Sequence, residues 1–194
     1  MNISHGQLLS RTILMKVALA LLVAATGCNR GPSVSTLRER LGDDDPDVRY
    51  EAVRALEDLG KSARSAVDDL ALALKDPEVR VRYRAAKALA NIGPRAIDAV
   101  PQLTVAAKDA DPEVRYYAVK AIYKTGSKSP DLVPAVLTLL NDPNDEVRPY
   151  AARVLGNVGP DAKKAVPALQ TARQSSQESL REAAAKALEK IQNS

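Results

Sequence analysis

Residues 76–89 read DPEVRVRYRAAKAL, and the Val-Arg pair at the centre of this stretch recurs along the chain at a constant spacing. The pair Val81-Arg82 has counterparts at Val48-Arg49, Val114-Arg115, Val147-Arg148 and Leu180-Arg181. Each pair follows the previous one by 33 residues. The chain is therefore built from one repeated unit, and its fold follows from what one unit can form.

Each unit contains two stretches in which apolar residues have helical spacing. In the first unit Val48, Ala52 and Leu56 mark helix A, which we expect to end at Gly60 because glycine tolerates the left-handed conformation of a helix cap. A second apolar stripe, helix B, begins near Val67. In the later units a proline stands in the first turn of helix B, where amides have no intrahelical partner: Pro101, Pro134 and Pro167.

One helix pair cannot cover its own apolar faces, but stacked pairs bury a continuous core. The 33-residue register adds a lone helix B at the start, from Val34, and a lone helix A at the end. The sequence has no Phe and no Trp, so the core must consist mainly of Ala, Leu, Val and Ile. We predict an all-α solenoid: a right-handed α–α superhelix with four full helix pairs and a half repeat at each end.

The pattern DPxVRxxAxxAL followed by GPxAxxAVPxL resembles the short HEAT-like repeats first described in phycobilisome lyases. The resemblance extends over residues 34–192 and implies that helix B lines a concave groove and helix A the convex face. It also implies that the register arginines pair with acids of neighbouring turns, and that a protein segment binds along the groove. The outward positions of helix B are then the candidate contacts: Asp69, Leu72, Gln102, Val105, Thr138 and Thr171.

The predicted convex face carries tyrosine and basic side chains opposite the apolar stripe of helix A. Arg80 stands at a register where the other units have acids, and with Tyr83, Arg84 and Lys87 it forms the most basic part of this face. Two interpretations stay open for this patch. It contacts an anionic partner or lipid headgroups, or it is an ordinary solvated face.

Two units differ from the others where helix A begins. Asp76-Pro77 and Asp142-Pro143 stand two residues earlier in the register than the equivalent Asp-Pro pairs. We therefore expect helix A of the second and fourth units to begin about half a turn early. In the fourth unit Pro149 lacks a backbone donor and is expected to bend or delay the first turn.

Residues 1–27 have the layout of a secretory signal: Arg11 and Lys16 come before the apolar run VALALLVAA, which is too short to span a bilayer. The following ATGC resembles the lipobox of bacterial lipoproteins, in which cleavage before the cysteine leaves a lipid-modified terminus. The resemblance implies lipid attachment at Cys28, with residues 28–33 as a tether. Two alternatives stay open: initiation at Met15, and an uncleaved segment with a free cysteine.

The composition limits the classes of function. The only histidine, His5, lies within the predicted signal, so the mature chain would offer no imidazole for catalysis or metal binding. Without Arg11 and Lys16 the net charge falls from +4 to +2, which is too weak to indicate nucleic-acid binding. We therefore predict that the chain is not an enzyme and has no cofactor and no nucleic-acid partner.

The expected function is that of a monomeric, lipid-anchored scaffold in the cell envelope that faces the periplasm or the cell exterior. Its partners would be an unidentified protein and, through Cys28, the membrane. Two alternatives stay open: a regulatory or lyase-like subunit of an enzyme complex, and a membrane-surface spacer.

Overall fold

The computed structural model describes residues 31–193, which contain ten α-helices and no β-strand. The helices are α1 (Val34–Arg40), α2 (Pro46–Leu59), α3 (Val67–Ala73), α4 (Val79–Ile92), α5 (Val100–Ala106), α6 (Pro112–Thr125), α7 (Leu132–Thr138), α8 (Val147–Val158), α9 (Val166–Ala172) and α10 (Glu178–Gln192). Short 3₁₀ segments follow four of them: Gly60–Ala66, Gly93–Ala99, Leu139–Asn141 and Gly159–Ala165.

The helices alternate between two layers in the predicted order. The A helices are α2, α4, α6, α8 and α10, and each packs against the next A helix along the chain. The B helices are α1, α3, α5, α7 and α9, and each contacts the A helix that follows it. A lone B helix, four A–B pairs and a lone A helix confirm the predicted all-α solenoid of stacked pairs.

The core is made almost entirely of small and branched apolar side chains. Each A helix contributes the alanine and leucine or isoleucine of the repeat, and each B helix contributes a leucine or valine. All buried apolar side chains of the described part lie between Leu37 and Ile191, so the solenoid that begins at Val34 has its own core. None of the helices in residues 31–193 is long and apolar enough to cross a membrane.

Glycine ends each of the first four A helices, as predicted, but mostly in a different conformation. Gly126 is left-handed, with φ 71° and ψ 16°. Gly60, Gly93 and Gly159 also have positive φ but ψ between −124° and −138°, a combination that side chains with a Cβ rarely adopt. This backbone turns the chain directly into a 3₁₀ segment, which leads into the next B helix.

The prediction that helix A begins early in the second and fourth units is wrong. α4 begins at Val79, the register position of Pro46, and its N-cap residue is Glu78. Asp76 does not cap the helix because its carboxylate accepts the Glu78 N–H and binds Arg49 of the preceding unit.

α8 begins at Val147, two residues later than the register of the other A helices. A helix that began on the register would need the amide of residue 149 to donate to the carbonyl of residue 145. Pro149 has no such donor. The predicted delay of this first turn is confirmed.

Candidate interaction surfaces

The register arginines form a ladder of ion pairs where each B helix leads into the next A helix. Arg49 Nε lies 2.7 Å from Asp76 Oδ2, and Arg49 Nη2 lies 3.0 Å from Asp76 Oδ1. The same guanidinium donates to the backbone carbonyls of Asp43 and Asp44. Two further rungs repeat this geometry, Arg82 with Asp109 and Arg115 with Asp142. The predicted pairing with acids of neighbouring turns is confirmed for these three arginines.

Burial and pairing act in opposite directions on the ladder carboxylates. Burial favours the neutral acid and therefore raises the pKa of Asp142, but hydrogen bonds from Arg115 and from the backbone N–H of Asn144 favour the carboxylate more strongly. The net result is a lowered pKa for Asp142. The pKa of Asp109 is lowered for the same reasons.

The ladder stops in the fourth unit. The next acid would stand at position 175, where the chain has Ser175. Arg148 instead donates to the carbonyl of Asp142 and pairs with the exposed Asp145 of its own turn. Among the described residues, the Arg181 side chain donates only to the backbone carbonyls of Ser175 and Ser176.

The tyrosines of the A helices are half-buried between successive helices, whereas a fully solvated face would leave them exposed. Tyr83 and Tyr117 meet edge to face with ring centroids 5.2 Å apart, and Tyr116 and Tyr150 meet in the same way at 5.6 Å. Lys120 Nζ donates to Tyr116 Oη at 3.0 Å and lies over three rings. The two ring pairs link adjacent units because their rings stand on neighbouring A helices. Aromatic pairs and cation–π contacts each add stability beyond that of the buried area.

The predicted basic patch lies on the A-helix face, but its cations are paired. Glu57 is only 6% exposed, and its carboxylate binds Arg84 at 2.7 Å and Lys87 at 2.9 Å. Its hydrogen bond to Lys87 raises the pKa of that ammonium group. The patch residue Tyr83 lies beneath the Arg84 and Lys87 cations.

Arg80, the remaining cation of the patch, pairs with Asp47 of the preceding unit and lies 5.0 Å from the centre of the Tyr50 ring. Three cations therefore face two acids, which leaves the patch with little excess charge. Sequence reasoning missed Glu57. The signal was available, because Glu57 precedes Arg84 by 27 residues, the same separation that joins each rung of the ladder.

The B-helix face has two exposed apolar side chains at equivalent positions of adjacent units. Leu72 on α3 is 68% exposed and Val105 on α5 is 63% exposed, the highest values among the large apolar residues of the described part. A cleft of about 480 Å³ is lined by Val105 and Gln102 and by Leu74, which stands two residues after Leu72. Within residues 31–193 no donor reaches the buried Gln102 Oε1 atom. Leu72, Gln102 and Val105, all predicted from the sequence, therefore lie on one surface.

The other predicted residues of this face differ in their surroundings. Asp69 pairs with Arg38 of α1 at 2.5 Å, so its carboxylate already has a partner. Thr138 and Thr171 are exposed, and each hydroxyl donates to a carbonyl of its own helix. The apolar centre of the face therefore lies in the first two units.

Sequence reasoning also missed Lys75 and Lys108, which belong to the lining of the same cleft. Both are exposed, and neither side chain makes an ion pair or hydrogen bond within the described residues. They stand at the same register, one residue before the ladder aspartates. A cleft with an apolar rim and two unpaired cations favours a segment that carries apolar and acidic side chains.

A second cleft, of about 580 Å³, lies on the A-helix face among α6, α8 and α10. Both charge signs line it, with Arg153 and Lys186 against Glu182 and Glu189. This mixture selects no ligand charge. In residues 31–193 no group of His, Cys, Asp or Glu is arranged to hold a metal ion. The predicted lipid-attachment residue, Cys28, lies outside the described residues.

Comparisons with known proteins agree with this geometry. A model of HEAT repeats matches residues 67–142 and 133–194, and a single HEAT repeat model matches residues 34–63. No curated protein sequence matched the chain.

Several solved structures share the fold. A crystal structure of an engineered protein has 29% sequence identity and a TM-score of 0.72, over 82% of this chain and 79% of that chain. The complex of CpcE and CpcF of phycocyanin lyase from Nostoc sp. PCC7120 has 25% identity and a TM-score of 0.69, over 87% of this chain and 68% of that chain.

A designed armadillo repeat protein in complex with the peptide (KR)4 has a TM-score of 0.72 over 81% of each chain, and its 24% identity supports the fold alone. The HEAT repeat matches cover most of residues 31–193, and the helix pairs that they represent are the pairs seen in the structure. The chain belongs to the HEAT repeat family.

Proposed function

We propose that this chain is a lipid-anchored scaffold of the cell envelope that binds a segment of a protein partner along its B-helix face. The observation that carries the binding site is the exposed pair Leu72 and Val105 beside the cleft with Gln102. Burying such side chains against a partner is favourable because apolar surface leaves water. HEAT and armadillo solenoids generally act as binding scaffolds, which supports the same class of function.

The anchor and the location are the second part of the proposal. Cys28 ends a segment whose charge, apolar run and small residues resemble a lipoprotein signal. Lipid attachment there would place the solenoid on the periplasmic or outer side of a membrane. Metabolic labelling with a fatty-acid analogue should label the wild-type chain and not the variant Cys28→Ser. An unlabelled wild-type chain that retains residues 1–27 would contradict this part.

Cross-linking in cells followed by mass spectrometry tests the binding site. We expect one or a few partners with the wild-type chain, and loss of these cross-links when Leu72→Glu and Val105→Glu are combined. The carboxylates would have to be buried at the contact without a partner. The matched control is Val79→Glu, which changes a 43% exposed apolar residue away from the B-helix face. Equal loss in the control and the double variant would overturn the assignment.

A second candidate is a regulatory or lyase-like subunit of an enzyme complex, which the likeness to the CpcE and CpcF complex favours. In that case the cross-linked partner should itself be a solenoid subunit or an enzyme, bound over both layers of helices. A partner held only by a short segment on the B-helix face would exclude this candidate.

A further inference from the structure

The edge of the solenoid where each A helix turns into its B helix, which we call the A–B edge, carries unpaired cations. It consists of residues 58–66, 91–99, 124–132 and 157–165. All of its basic side chains are exposed, and none makes a hydrogen bond or ion pair within residues 31–193. They are Lys61, Arg64, Arg95, Lys124, Lys128, Lys163 and Lys164.

The A–B edge also contains four acids, so its seven cations leave an excess of positive charge: Asp58, Asp98, Asp131 and Asp161. The opposite edge, where B helices lead into A helices, has the reverse balance. Its residues 40–49, 73–82, 106–115, 139–148 and 172–181 carry thirteen acids against ten cations, and the ladder arginines among those cations are already paired. The solenoid is therefore positive along the A–B edge and negative along the opposite edge.

Exposed apolar side chains accompany the cations on the A–B edge. Leu59, the last residue of α2, is 40% exposed, and Ile97 in the following unit is 49% exposed. Arg95 stands two residues from Ile97, and Lys61 two residues from Leu59. Apolar side chains flanked by cations are typical of protein surfaces that contact anionic lipid headgroups, because the cations bind phosphates and the apolar groups enter the interface.

The chain enters the solenoid at this same edge. α1 is a B helix, and B helices begin at the A–B edge, so Val34 lies there. Residues 28–33 can span at most about 20 Å when fully extended. A lipid on Cys28 would therefore keep the start of the solenoid, which lies at the A–B edge, within about 20 Å of the headgroups. This step rests on the anchor in the proposed function, whereas the charge and apolar pattern does not.

We infer that the A–B edge is a second membrane contact, a surface that binds anionic lipid headgroups and orients the solenoid with its B-helix face accessible. A basic surface beside a lipid anchor is a common additional signal for membrane binding. The contact is electrostatic and therefore weakens with salt.

Vesicle binding of residues 28–194 with Cys28→Ser tests this surface without any acyl chain. At about 0.1 M salt, where charges more than about 10 Å apart are screened, we expect binding to vesicles with about 30 mol% phosphatidylglycerol and at least tenfold weaker binding to phosphatidylcholine alone. Circular dichroism checks that each protein is folded. Absence of binding to the anionic vesicles, or equal binding to both kinds, would overturn the inference.

A pair of charge-matched variants locates the contact. The edge variant, Lys61→Gln with Arg64→Gln and Arg95→Gln, should bind anionic vesicles about a hundredfold more weakly, since each of the three basic residues near the surface contributes roughly fivefold. The control, Lys75→Gln with Lys108→Gln and Arg173→Gln, removes the same charge from the C-terminal ends of B helices and should lose less than about threefold. Equal losses would show that net charge, not the edge, governs binding.

Two outcomes separate this inference from its alternatives. Tighter binding to a DNA duplex than to the anionic vesicles would assign the edge to nucleic acid and overturn the lipid contact. In cells, the edge variant should keep the partner cross-links that Leu72→Glu with Val105→Glu abolishes. A wild-type chain that gives cross-links but does not bind anionic vesicles would overturn only the membrane contact. A chain that binds the vesicles but gives no cross-links would overturn only the proposed binding face.

Discussion

The first three units and the C-terminal end hold neighbouring A helices together in different ways. A ladder ion pair crosses each of the junctions α2–α4, α4–α6 and α6–α8, with Glu57 and its two cations added at the first and edge-to-face tyrosines at the other two. Between α8 and α10 the ladder acid is replaced by Ser175, and α10 has Glu182, Ala183 and Glu189 where α6 has its three tyrosines.

The last junction gains close backbone packing in exchange. A Cβ added to Gly156 on α8 would lie 2.9 Å from the Ala187 Cα on α10. The two helices can approach this closely only because both residues are small. The same 33-residue unit therefore tolerates two kinds of junction, a polar kind with ion pairs and tyrosines and a close-packed kind with small residues in contact, as long as the apolar register is kept.

Removing a rung from the polar junctions should have the largest effect. Asp142→Ala deletes a carboxylate whose side chain is 5% exposed and leaves the Arg115 guanidinium partly buried without its acid. We expect a loss of about 3 kcal/mol in the free energy of unfolding, measured by urea denaturation. The control is Asp145→Ala, which removes a 70% exposed acid three residues away and should cost less than about 0.5 kcal/mol. Equal costs would mean that the ladder does not stabilise the junction.

Filling the close-packed junction should cost less. Gly156→Ala gains helix propensity but forces α8 and α10 apart at Ala187, and we expect a net loss of about 1–2 kcal/mol in the free energy of unfolding. The added Cβ of the control, Gly42→Ala, would meet its nearest atom at an ordinary 3.7 Å. A Gly156→Ala variant as stable as wild type would show that the two helices are not held by their close approach.

Extending the ladder should convert the last junction toward the polar kind. Ser175 Oγ accepts the Gln177 N–H, just as the ladder carboxylates accept the amide two residues on, and Arg148 stands 27 residues earlier. Ser175→Asp keeps that hydrogen bond and offers Arg148 a bidentate partner. We expect a gain of about 0.5–1 kcal/mol in a thermal or urea melt, with no gain for Ser176→Asp. A loss at position 175 would contradict the ladder geometry.

The smallest expected effect is a change in acid sensitivity. The pKa of Asp109 and of Asp142 is lowered in the folded chain, so each contributes stability that is complete above the unfolded pKa of about 3.9 and is lost as the pH falls below it. Asp109→Asn removes one such group. Its free energy of unfolding should therefore fall less steeply between about pH 4 and pH 2 than that of wild type. An unchanged slope would mean that Asp109 keeps its ordinary pKa.

The sequence predicted the features that depend on the 33-residue period. The order of helices, the glycine ends, the ladder partners and the exposure of Leu72 and Val105 all depend on positions that recur every 33 residues. What it did not predict depends on single exceptions to the repeat. Glu57 has no acidic counterpart in the next three units, and Asp76 was assigned to a helix cap because its ladder contact lies in a different unit.

The half-buried tyrosines show the same limit. A helical wheel places them opposite the core of their own helix, but in a solenoid that side lies against the next A helix along the stack. The period of one helix gives the face on which a residue stands. How tightly the neighbouring unit covers that face depends on the packing of the whole stack.

The most direct test of the central claim uses a photo-cross-linking amino acid placed at position 105 in cells, with position 79 as the control. We predict discrete adducts to a partner from position 105 only, mapped to one segment of that partner and lost when Leu72→Glu is added. Adducts from position 79 alone, or none from position 105 while other faces of the solenoid give them, would contradict binding along the B-helix face.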